Sequence, residues 1–568
     1  MVAAPDAGND AALASLATHL ERLRFDLTED PEGWRRRATS SARLFRSVLA
    51  RAADLDAPLL VVIAGGTGAG KSTTVNTLAR ARVAATSVVR PTTRAPVLVS
   101  HPDDAAAFAG DRVLAGLPRV RGDDDDAAGV GHRLVLRESD GLPRGLALVD
   151  TPDVDSVETA NHRLAEDALA DADVWLWFAT ARTYADEAGA VYLRTARDRG
   201  VAIGVVVTQL RPEDRDEVLA DVRRLLADQG VDADLVVDIP VAEVTGDRLP
   251  DAAVAPVRDH LTDLAAPAQR AATRQRAIAG VRAGAPRDLA PIAEALAVES
   301  RAAARLTEAV VAAYAPLPDE LQIELEHGIP LRADVLDRWR DLVGGSDTLV
   351  RMQTAAQRVR GAVQGMLGTA GEVPAESPRQ VRAEVAGTLT ATLERLLERA
   401  RVDARRRFEQ DPVGRRLLDI DPDLRRDDLD ARHDRVRAAV DAWGEHVAEL
   451  VATVGAERRV RARRWSTALN AVATSAILVV FTVSGGLTGG EVGIAALASA
   501  GSQAMLVRLF GEQNLRQLLT DAHADLDVRL AELIVVDRAD LDRAVTAAAP
   551  LADATAEIAG VVEGGARS

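Results

Sequence analysis

The stretch AGGTGAGKSTTV at residues 64–75 constrains the fold of this chain more than any other feature. Residues 65–72 match the pattern G-x-x-x-x-G-K-[ST], with the apolar run PLLVVIAGG before them and a helix-compatible segment after them. Backbone N–H groups converge on a phosphate only where side chains do not intrude, which accounts for the glycines. The pattern therefore predicts a strand, a phosphate-binding loop and a helix, against the alternative of a glycine-rich turn without a ligand.

Lys71 is the only lysine among the 69 lysine and arginine residues of the chain. An arginine side chain is bulky, planar and forked, and it cannot replace a compact ammonium group under such a loop. We therefore predict that Lys71 contacts the β- and γ-phosphates of a nucleotide and assists catalysis, and that the Ser72 hydroxyl binds Mg²⁺. The predicted nucleotide-binding residues of the loop are Gly65, Gly66, Thr67, Gly68, Ala69, Gly70, Lys71, Ser72 and Thr73.

Composition narrows the class of protein. With 568 residues the chain is too long for one simple core, and its hydrophobic fraction of 47% disfavours wholesale disorder. The absence of Cys excludes disulfides and thiolate metal sites. A net charge of −17 argues against nucleic acid as a partner, because such a role needs a basic face. We also expect no secretory signal peptide, since the first residues lack a basic segment followed by an apolar one.

Short apolar runs alternate with helical patterns up to about residue 265, which indicates a mainly parallel α/β sheet. We expect strands at PLLVVIAGG and in six further runs, at residues 96–100, 132–138, 145–150, 174–180, 201–209 and 235–241. From there to about residue 460, Ala, Leu, Arg and Glu recur at helical spacing. That pattern predicts a large all-α stalk or bundle.

Residues 465–507 form an apolar segment in which Glu491 is the only charged residue. Two apolar stretches flank SGGLTGG, which is typical of a turn, and the preceding RRVRARR (Arg458–Arg464) contains five arginines and no acid. Each stretch approaches the length that spans a hydrocarbon core, and clustered arginine favours a cytoplasmic flank that faces anionic lipid. We expect a membrane-inserting hairpin with both ends cytoplasmic. The alternative is a helical pair buried in the bundle.

Two motifs follow the phosphate loop in order, RPTTRAP at 90–96 and VDTPDVDSV at 149–157. With GGTGAGKST they resemble the G1, G2 and G3 elements of translation-factor-class GTPases, a group that includes Era-type GTPases and the bacterial dynamin-like proteins. The resemblance implies GTP and Mg²⁺ as cofactors. It makes Thr93 the catalytic switch-I threonine, with Thr92 as the near alternative, and Asp150 the G3 aspartate. The implied metal ligands are Ser72, Thr93 and Asp150.

The G3 element departs from the pattern D-x-x-G. Asp153 stands where the glycine is expected, and Val154 follows in place of a glutamine that would orient the attacking water. The resemblance then implies slow intrinsic hydrolysis with catalytic help from elsewhere, such as a dimer partner.

The base-specificity motif [NT]-K-x-D is also altered, because it reads TQLR at 208–211. We expect Thr208 and Gln209 to bind the nucleotide. Arg211 replaces the aspartate that accepts hydrogen bonds from guanine, and a guanidinium has no acceptor. Asp214 is a substitute if the loop bends. The residues themselves therefore leave GTP and ATP as alternatives.

The order of these regions resembles that of dynamin-like proteins. The predicted fold class is an α/β P-loop GTPase domain, with a mostly parallel sheet flanked by helices, plus an all-α stalk with an apolar helical hairpin. We divide the chain into N-terminal helices that join the stalk (1–54), the GTPase domain (55–265), the stalk (266–460), the basic cluster and hairpin (461–508) and return helices (509–568).

These observations predict a dynamin-like GTPase that couples GTP hydrolysis to membrane association or remodelling. It would act at the cytoplasmic face of the cell membrane, with anionic lipid and either a second copy of the chain or a related dynamin-like protein as partners. The alternatives are a soluble regulatory P-loop NTPase, or a nucleotide-dependent scaffold that binds without hydrolysing, with the hairpin buried.

Overall fold

The structure is a computed structural model that forms two compact units. One unit comprises Met1–Phe25, Glu29–Val298 and Pro550–Ser568, and the other comprises Asp26–Thr28 and Glu299–Ala549. The five-part division of the sequence stays a prediction, because it follows motifs and not contacts. The residues that the structure describes are 7–84, 95–110, 113–115, 117–121, 133–152, 164, 167–327, 376–457, 467–484, 506 and 510–567.

An eight-stranded sheet forms the centre of the first unit. Its order is β3-β4-β2-β5-β1-β6-β7-β8. Neighbouring strands are parallel except for β2 and β5, which are antiparallel. The strands are β1 (Leu59–Gly65), β2 (Val97–Ser100), β3 (Arg119–Arg121), β4 (Leu134–Glu138), β5 (Leu146–Asp150), β6 (Val174–Thr180), β7 (Ala202–Leu210) and β8 (Leu235–Pro240).

Strand β1 explains why a continuous apolar run predicts a strand in this sheet. Leu59, Val61 and Ile63 enter the apolar core on one face of the sheet. Leu60, Val62 and Ala64 enter the core on the other face. A strand that is buried on both faces has to be apolar throughout, and burying each large side chain contributes about 1.5–3 kcal/mol. All seven predicted runs are strands, and the predicted fold class is confirmed.

Two features of the sheet were not predicted. β3 is a three-residue edge strand of sequence RVR, too short and too charged to stand out as a strand. The antiparallel pairing of β2 with β5 brings Val97 opposite Asp150. Strand direction depends on the connection between two strands, and residues 85–94, which lead into β2, lie outside the described residues.

Helices surround the sheet and continue at both ends of the chain. The break predicted near EDPEGW is present: Asp30 caps the second helix by accepting a hydrogen bond from Gly33 N–H at 2.8 Å, and Pro31 occupies the first turn. The helices that lie wholly in the first unit are Ala7–Arg22, Pro31–Ala52, Lys71–Leu78, Glu187–Asp198, Arg215–Asp228, Ala255–Ala265 and Ala552–Arg567.

The second unit is helical throughout its longer described segments and shares one apolar core. This agrees with the predicted bundle. The helix Pro267–Tyr314 contributes its later part, and the other helices are Leu317–Glu326, Glu376–Gln410, Pro412–Ile420, Leu429–Glu457, Thr467–Ser484 and Glu512–Ala548.

The predicted apolar hairpin is described only at 467–484 and 506. The helix Thr467–Ser484 packs against Leu317–Glu326, Glu376–Gln410 and Leu429–Glu457. Its side chains Ile477, Leu478 and Phe481 are buried in the helical core, and the Phe481 ring lies 5.1 Å from the Trp443 ring. This arm is therefore a core helix in the described conformation. The remainder of the hairpin and the cluster Arg458–Arg464 lie outside the described residues.

A different segment meets the length and hydropathy expected of a membrane span. Among the described residues, Glu512–Gly565 contains one stretch of sufficient length and mean hydropathy, and 22% of that stretch is buried.

Candidate functional site

The predicted phosphate loop connects the end of β1 to the helix Lys71–Leu78. Two of its glycines are required by geometry. Gly65 has φ +147°, and a Cβ placed there would lie 2.0 Å from the Phe178 carbonyl oxygen on β6. Gly70 has φ +82° and immediately precedes the helix. Only glycine adopts such backbone angles readily, so the local sequence fixes a loop that bends sharply from the strand into the helix.

Lys71 lies under this loop. Its Nζ donates to the Gly65 carbonyl at 2.8 Å and to the Gly66 carbonyl at 3.0 Å, and the residue is 5% exposed. Carbonyl groups offer only partial negative charge to a buried ammonium. An anion bound in the loop adds a full countercharge, and the dipole of the following helix favours the same anion.

Ser72 and Asp150 come together beside the loop. The Ser72 hydroxyl donates to Asp150 Oδ2 at 2.6 Å, and Asp150 is fully buried. Asp150 is the last residue of β5, and the parallel register pairs it with Ile63 near the end of β1. A hydroxyl and a buried carboxylate are the hard oxygen donors that Mg²⁺ prefers. These two residues therefore fit a Mg²⁺ site beside a bound phosphate.

The other predicted loop residues lie on the same connection. Gly68 has φ +76°, and Thr73 is in the first turn of the helix. The Thr73 carbonyl accepts a hydrogen bond from the Thr77 hydroxyl at 2.7 Å. The loop and the first helical turn thus form one continuous unit, as the motif predicts.

Thr208 and Gln209 contact the loop from the end of β7. The Thr208 hydroxyl donates to the Ala69 carbonyl at 2.9 Å, and Gln209 Nε2 donates to the Gly68 carbonyl at 2.9 Å. The sequence predicted these two residues at the site from the altered base motif alone. The structure places both against the phosphate loop.

Arg211 and Asp214 form an ion pair just after β7. Arg211 Nε and Nη2 lie 2.8 and 2.7 Å from Asp214 Oδ2. The short turn Pro212–Asp214 brings the carboxylate back to the guanidinium. The pair is therefore local to the turn that follows β7, and a role for Asp214 stays a prediction.

Four residues of the predicted machinery, Thr92, Thr93, Asp153 and Val154, lie outside the described residues. Their roles stay predictions. The chain that leads toward Thr93 is anchored by Asn76, whose Oδ1 accepts the N–H groups of Val83 and Ala84 at 2.9 Å each. Val83 and Ala84 are thus held beside the loop helix.

A cavity of about 1160 Å³ opens beside Gly66 and Thr67. Its wall includes arginines of the helix Pro31–Ala52, among them Arg36 and Arg37, and aromatic residues of β6. Sequence reasoning did not connect these arginines with the loop. They precede it by some thirty positions and belong to no motif, so no local pattern relates the two.

Residues 60–208 match the family model of the 50S ribosome-binding GTPases. The chain carries a P-loop GTPase domain. This confirms the resemblance drawn from the G1, G2 and G3 motifs, and the domain is that of a GTP hydrolase. No curated protein sequence matches the chain.

Several solved structures are similar to this chain. One of an oligomerised bacterial dynamin pair, described as a mechanism for long-range sensing and tethering of membranes, has 12% identity and a TM-score of 0.40, and the alignment covers 100% of this chain and 96% of that one. LeoA, a bacterial dynamin GTPase from ETEC, has 12% identity and a TM-score of 0.24, with 99% and 98% covered. Era from Aquifex aeolicus has 17% identity and a TM-score of 0.22, with 32% and 51% covered.

Proposed function

We propose that the chain is a dynamin-like GTPase that binds and hydrolyses Mg²⁺-GTP and couples this cycle to membrane association. The nucleotide part rests on one observation. Lys71 is buried under a glycine loop, with the Ser72–Asp150 pair beside it. This arrangement brings an ammonium and two hard oxygen donors to the place where a triphosphate meets the start of a helix.

Each residue of this group has a defined task in the proposed reaction. Lys71 exchanges its loop carbonyls for phosphate oxygens and neutralises charge that develops on them. Ser72 and Asp150 would hold Mg²⁺, which when bound would supply positive charge beside the phosphates. Thr93 completes the group once a γ-phosphate is present. A second copy of the chain, paired through the GTPase domain, supplies the catalytic help that a glutamine after G3 would give.

Hydrolysis tests the assignment of Thr93. Thr93→Ala should lower the turnover of GTP while leaving GDP affinity near that of wild type, because switch I closes only around a γ-phosphate. Thr92→Ala is the matched control and should hydrolyse at close to the wild-type rate. The opposite result, with Thr92→Ala inactive and Thr93→Ala active, would move the switch threonine by one residue.

The membrane part of the proposal rests on the sequence of residues 458–507. The cluster Arg458–Arg464 docks on anionic headgroups, where each arginine contributes about 1 kcal/mol that salt screens. The apolar segment then enters the acyl region and adds a term that salt does not affect. In a cell this places the protein on the cytoplasmic face of the membrane.

Liposome co-sedimentation separates the two terms. Changing the five arginines of the cluster to Gln should weaken binding mainly at low salt and on anionic lipid. Leu478→Asp and Val480→Asp together should abolish salt-resistant binding, because a charge in hydrocarbon costs several kcal/mol. Wild-type protein that stays in the supernatant at every salt concentration and lipid composition would refute the membrane part and leave the nucleotide part intact.

One observation favours a second candidate, a soluble regulatory NTPase or nucleotide-dependent scaffold. The helix Thr467–Ser484 is packed into the core of the second unit, with Ile477 and Phe481 at most 1% exposed. A core helix of this kind needs no membrane. The candidate predicts full-length protein that stays soluble without detergent and does not sediment with liposomes at any salt concentration.

A further inference from the structure

We propose that the cavity beside Gly66 and Thr67 binds a second ligand, a nucleotide held apart from the one in the phosphate loop. Lys71, Ser72 and Asp150 do not line this cavity, although its wall includes those two residues of the loop. Its volume of about 1160 Å³ is large enough for a whole cofactor. The inference goes beyond the proposed function, because that function requires only the nucleotide in the loop.

An indole N–H group on β6 has no hydrogen-bond acceptor among the described residues. It belongs to Trp177, which lines the cavity and is only 6% exposed. The neighbouring Trp175, by contrast, donates from Nε1 to the Leu169 carbonyl at 2.9 Å. A buried indole N–H usually has a partner, so the unpaired group at Trp177 marks a position for an acceptor on a ligand.

Gly189 leaves this N–H group open toward the cavity. A Cβ placed on Gly189 would lie 3.3 Å from Trp177 Nε1, and both residues line the cavity. Gly189 is in the first turn of the helix Glu187–Asp198, which begins at Asp186 without a side-chain cap. Since the start of a helix attracts an anion, the indole and the helix favour the same electron-rich ligand atoms.

The charges of the wall also favour an anion. Among the described residues, five arginines and three acids line the cavity. Arg35 is paired with Glu32, and Arg43 is paired with Asp167 at 2.9 Å. Arg36 is exposed, and its side chain has no ion pair or hydrogen bond within the described part of the chain. This local surplus of positive charge contrasts with the net charge of −17 of the whole protein.

Arg37 adds to the surplus. It shares the Asp288 carboxylate with Arg199 and Arg287, so three guanidinium groups surround one acid. Arg37 therefore retains positive charge for another anion. A guanidinium donates two parallel hydrogen bonds to phosphate oxygens, which makes a phosphate the anion that this wall fits best.

The aromatic part of the wall indicates what the phosphate is attached to. The rings of Trp177 and Tyr192 are stacked, with centroids 5.3 Å apart and 25° between their planes, and both residues line the cavity. Aromatic side chains accept the flat face of a base, whatever the base is. A nucleotide carries both a base and phosphates, whereas an inorganic anion would use only the arginines.

Equilibrium dialysis tests this second site on protein that is saturated with Mg²⁺ and a non-hydrolysable GTP analogue. The probes are the labelled diphosphates ADP, CDP, GDP and UDP. At least one of them should bind at one equivalent per chain, and more tightly than pyrophosphate or its own free nucleoside. Lys71→Ala should retain this equivalent, although it loses the nucleotide of the phosphate loop.

Variants of the wall locate the binding. Arg36→Gln with Arg37→Gln should weaken it about tenfold or more, because charged hydrogen bonds to phosphate are lost. Gly189→Ala covers the indole N–H and should weaken binding about fivefold without lowering the melting temperature, since alanine suits a helix better than glycine. Arg46→Gln is the matched control and should bind as wild type, because Arg46 is on the same helix but pairs with Glu21 and does not line the cavity.

Three results would overturn the inference. In the first, none of the four diphosphates binds the saturated protein more tightly than pyrophosphate does. In the second, Lys71→Ala also loses the second equivalent, which would put the probe in the phosphate loop. In the third, Arg46→Gln weakens binding as much as the double arginine change, so that no local site is involved. The proposed function is judged separately, by whether wild type binds the GTP analogue.

Discussion

Two groups of buried ionisable side chains, one in each unit, have opposite arrangements. In the first unit, Lys71 and the Ser72–Asp150 pair lie at the mouth of a loop, where carbonyl and hydroxyl groups take the positions that a ligand would fill. In the second unit, the charges buried around Asp537 are paired with each other. The group around Lys71 can give up its present hydrogen-bond partners to a ligand. The group around Asp537 is bonded to itself and offers no such exchange.

The network in the second unit centres on Asp537. Its Oδ1 accepts from Arg432 Nε at 2.8 Å and its Oδ2 accepts from the Tyr314 hydroxyl at 2.7 Å. The Asp537 carbonyl accepts from Arg401 at 2.7 Å, and Arg401 also pairs with Asp540. Burial and the Asp537 carboxylate raise the pKa of Tyr314 above its usual range. The four helices that meet here are thus joined by hydrogen bonds and ion pairs among these groups.

The two groups also differ in how far apart in sequence their contacting residues lie. Lys71 is six positions from the Gly65 carbonyl that it contacts. Tyr314 and Arg432 lie 223 and 105 positions from Asp537. A ligand site made from one loop is visible as a motif. An ion network made from four helices has no local pattern.

The largest expected effect is on stability, in the second unit. Asp537→Ala leaves Arg432 and the Tyr314 hydroxyl buried without their acceptor and should cost about 3–5 kcal/mol in the free energy of unfolding. Denaturant titration measures this. Asp542→Ala, which breaks a more exposed pair with Arg538 on the same helix, is the control and should cost below about 1 kcal/mol. Equal losses in the two variants would mean that the network does not stabilise the unit.

The next effect is on ligand binding, in the first unit. Lys71→Ala should reduce Mg²⁺-GTP affinity about 100-fold or more, because it removes a buried charge from the phosphates, while the melting temperature stays close to that of wild type. Lys71→Arg keeps the charge and should fail nearly as badly, since a planar fork does not fit beneath the loop. Titration calorimetry checks both. Wild-type affinity in Lys71→Arg would contradict the reason given for the only lysine.

The smallest effect concerns a buried acid whose hydrogen bond comes from the backbone. Glu299 is 1% exposed and accepts from Leu27 N–H at 2.7 Å, and burial raises its pKa from 4.5 to about 7. The fold therefore favours the protonated acid. Its stabilisation is complete below pH 4.5 and is lost as the pH rises through 7. Glu299→Gln cannot ionise and should gain on wild type across that range, by up to about 3 kcal/mol.

Unfolding measured at a series of pH values tests this. Glu308→Gln, an exposed change on the same helix, is the matched control and should show no difference that grows with pH. A constant difference between Glu299→Gln and wild type at every pH would show that the fold does not raise the pKa of Glu299.

Much of the first unit could be predicted from its residues. Strands such as β6 are continuous apolar runs, because helices cover both faces of a parallel sheet, and VWLWFAT forms the strand that its pattern predicts. The contact between Ser72 and Asp150 follows from the phosphate-loop motif and one aspartate at the end of a strand. The Arg211–Asp214 pair was not predicted, since it forms in the short turn Pro212–Asp214 and belongs to no motif.

The sequence by itself predicted the phosphate loop and the strand and helix on either side of it, because each depends on neighbours within a few positions. Only the tertiary structure decided where the apolar segment at 467–484 lies. Its composition suits a bilayer and a protein core equally, since both reward the removal of apolar surface from water. The described conformation packs it beside Trp443 in the helical core. High hydropathy indicates that a segment is removed from water. Its packing partners decide whether a protein core or a bilayer surrounds it.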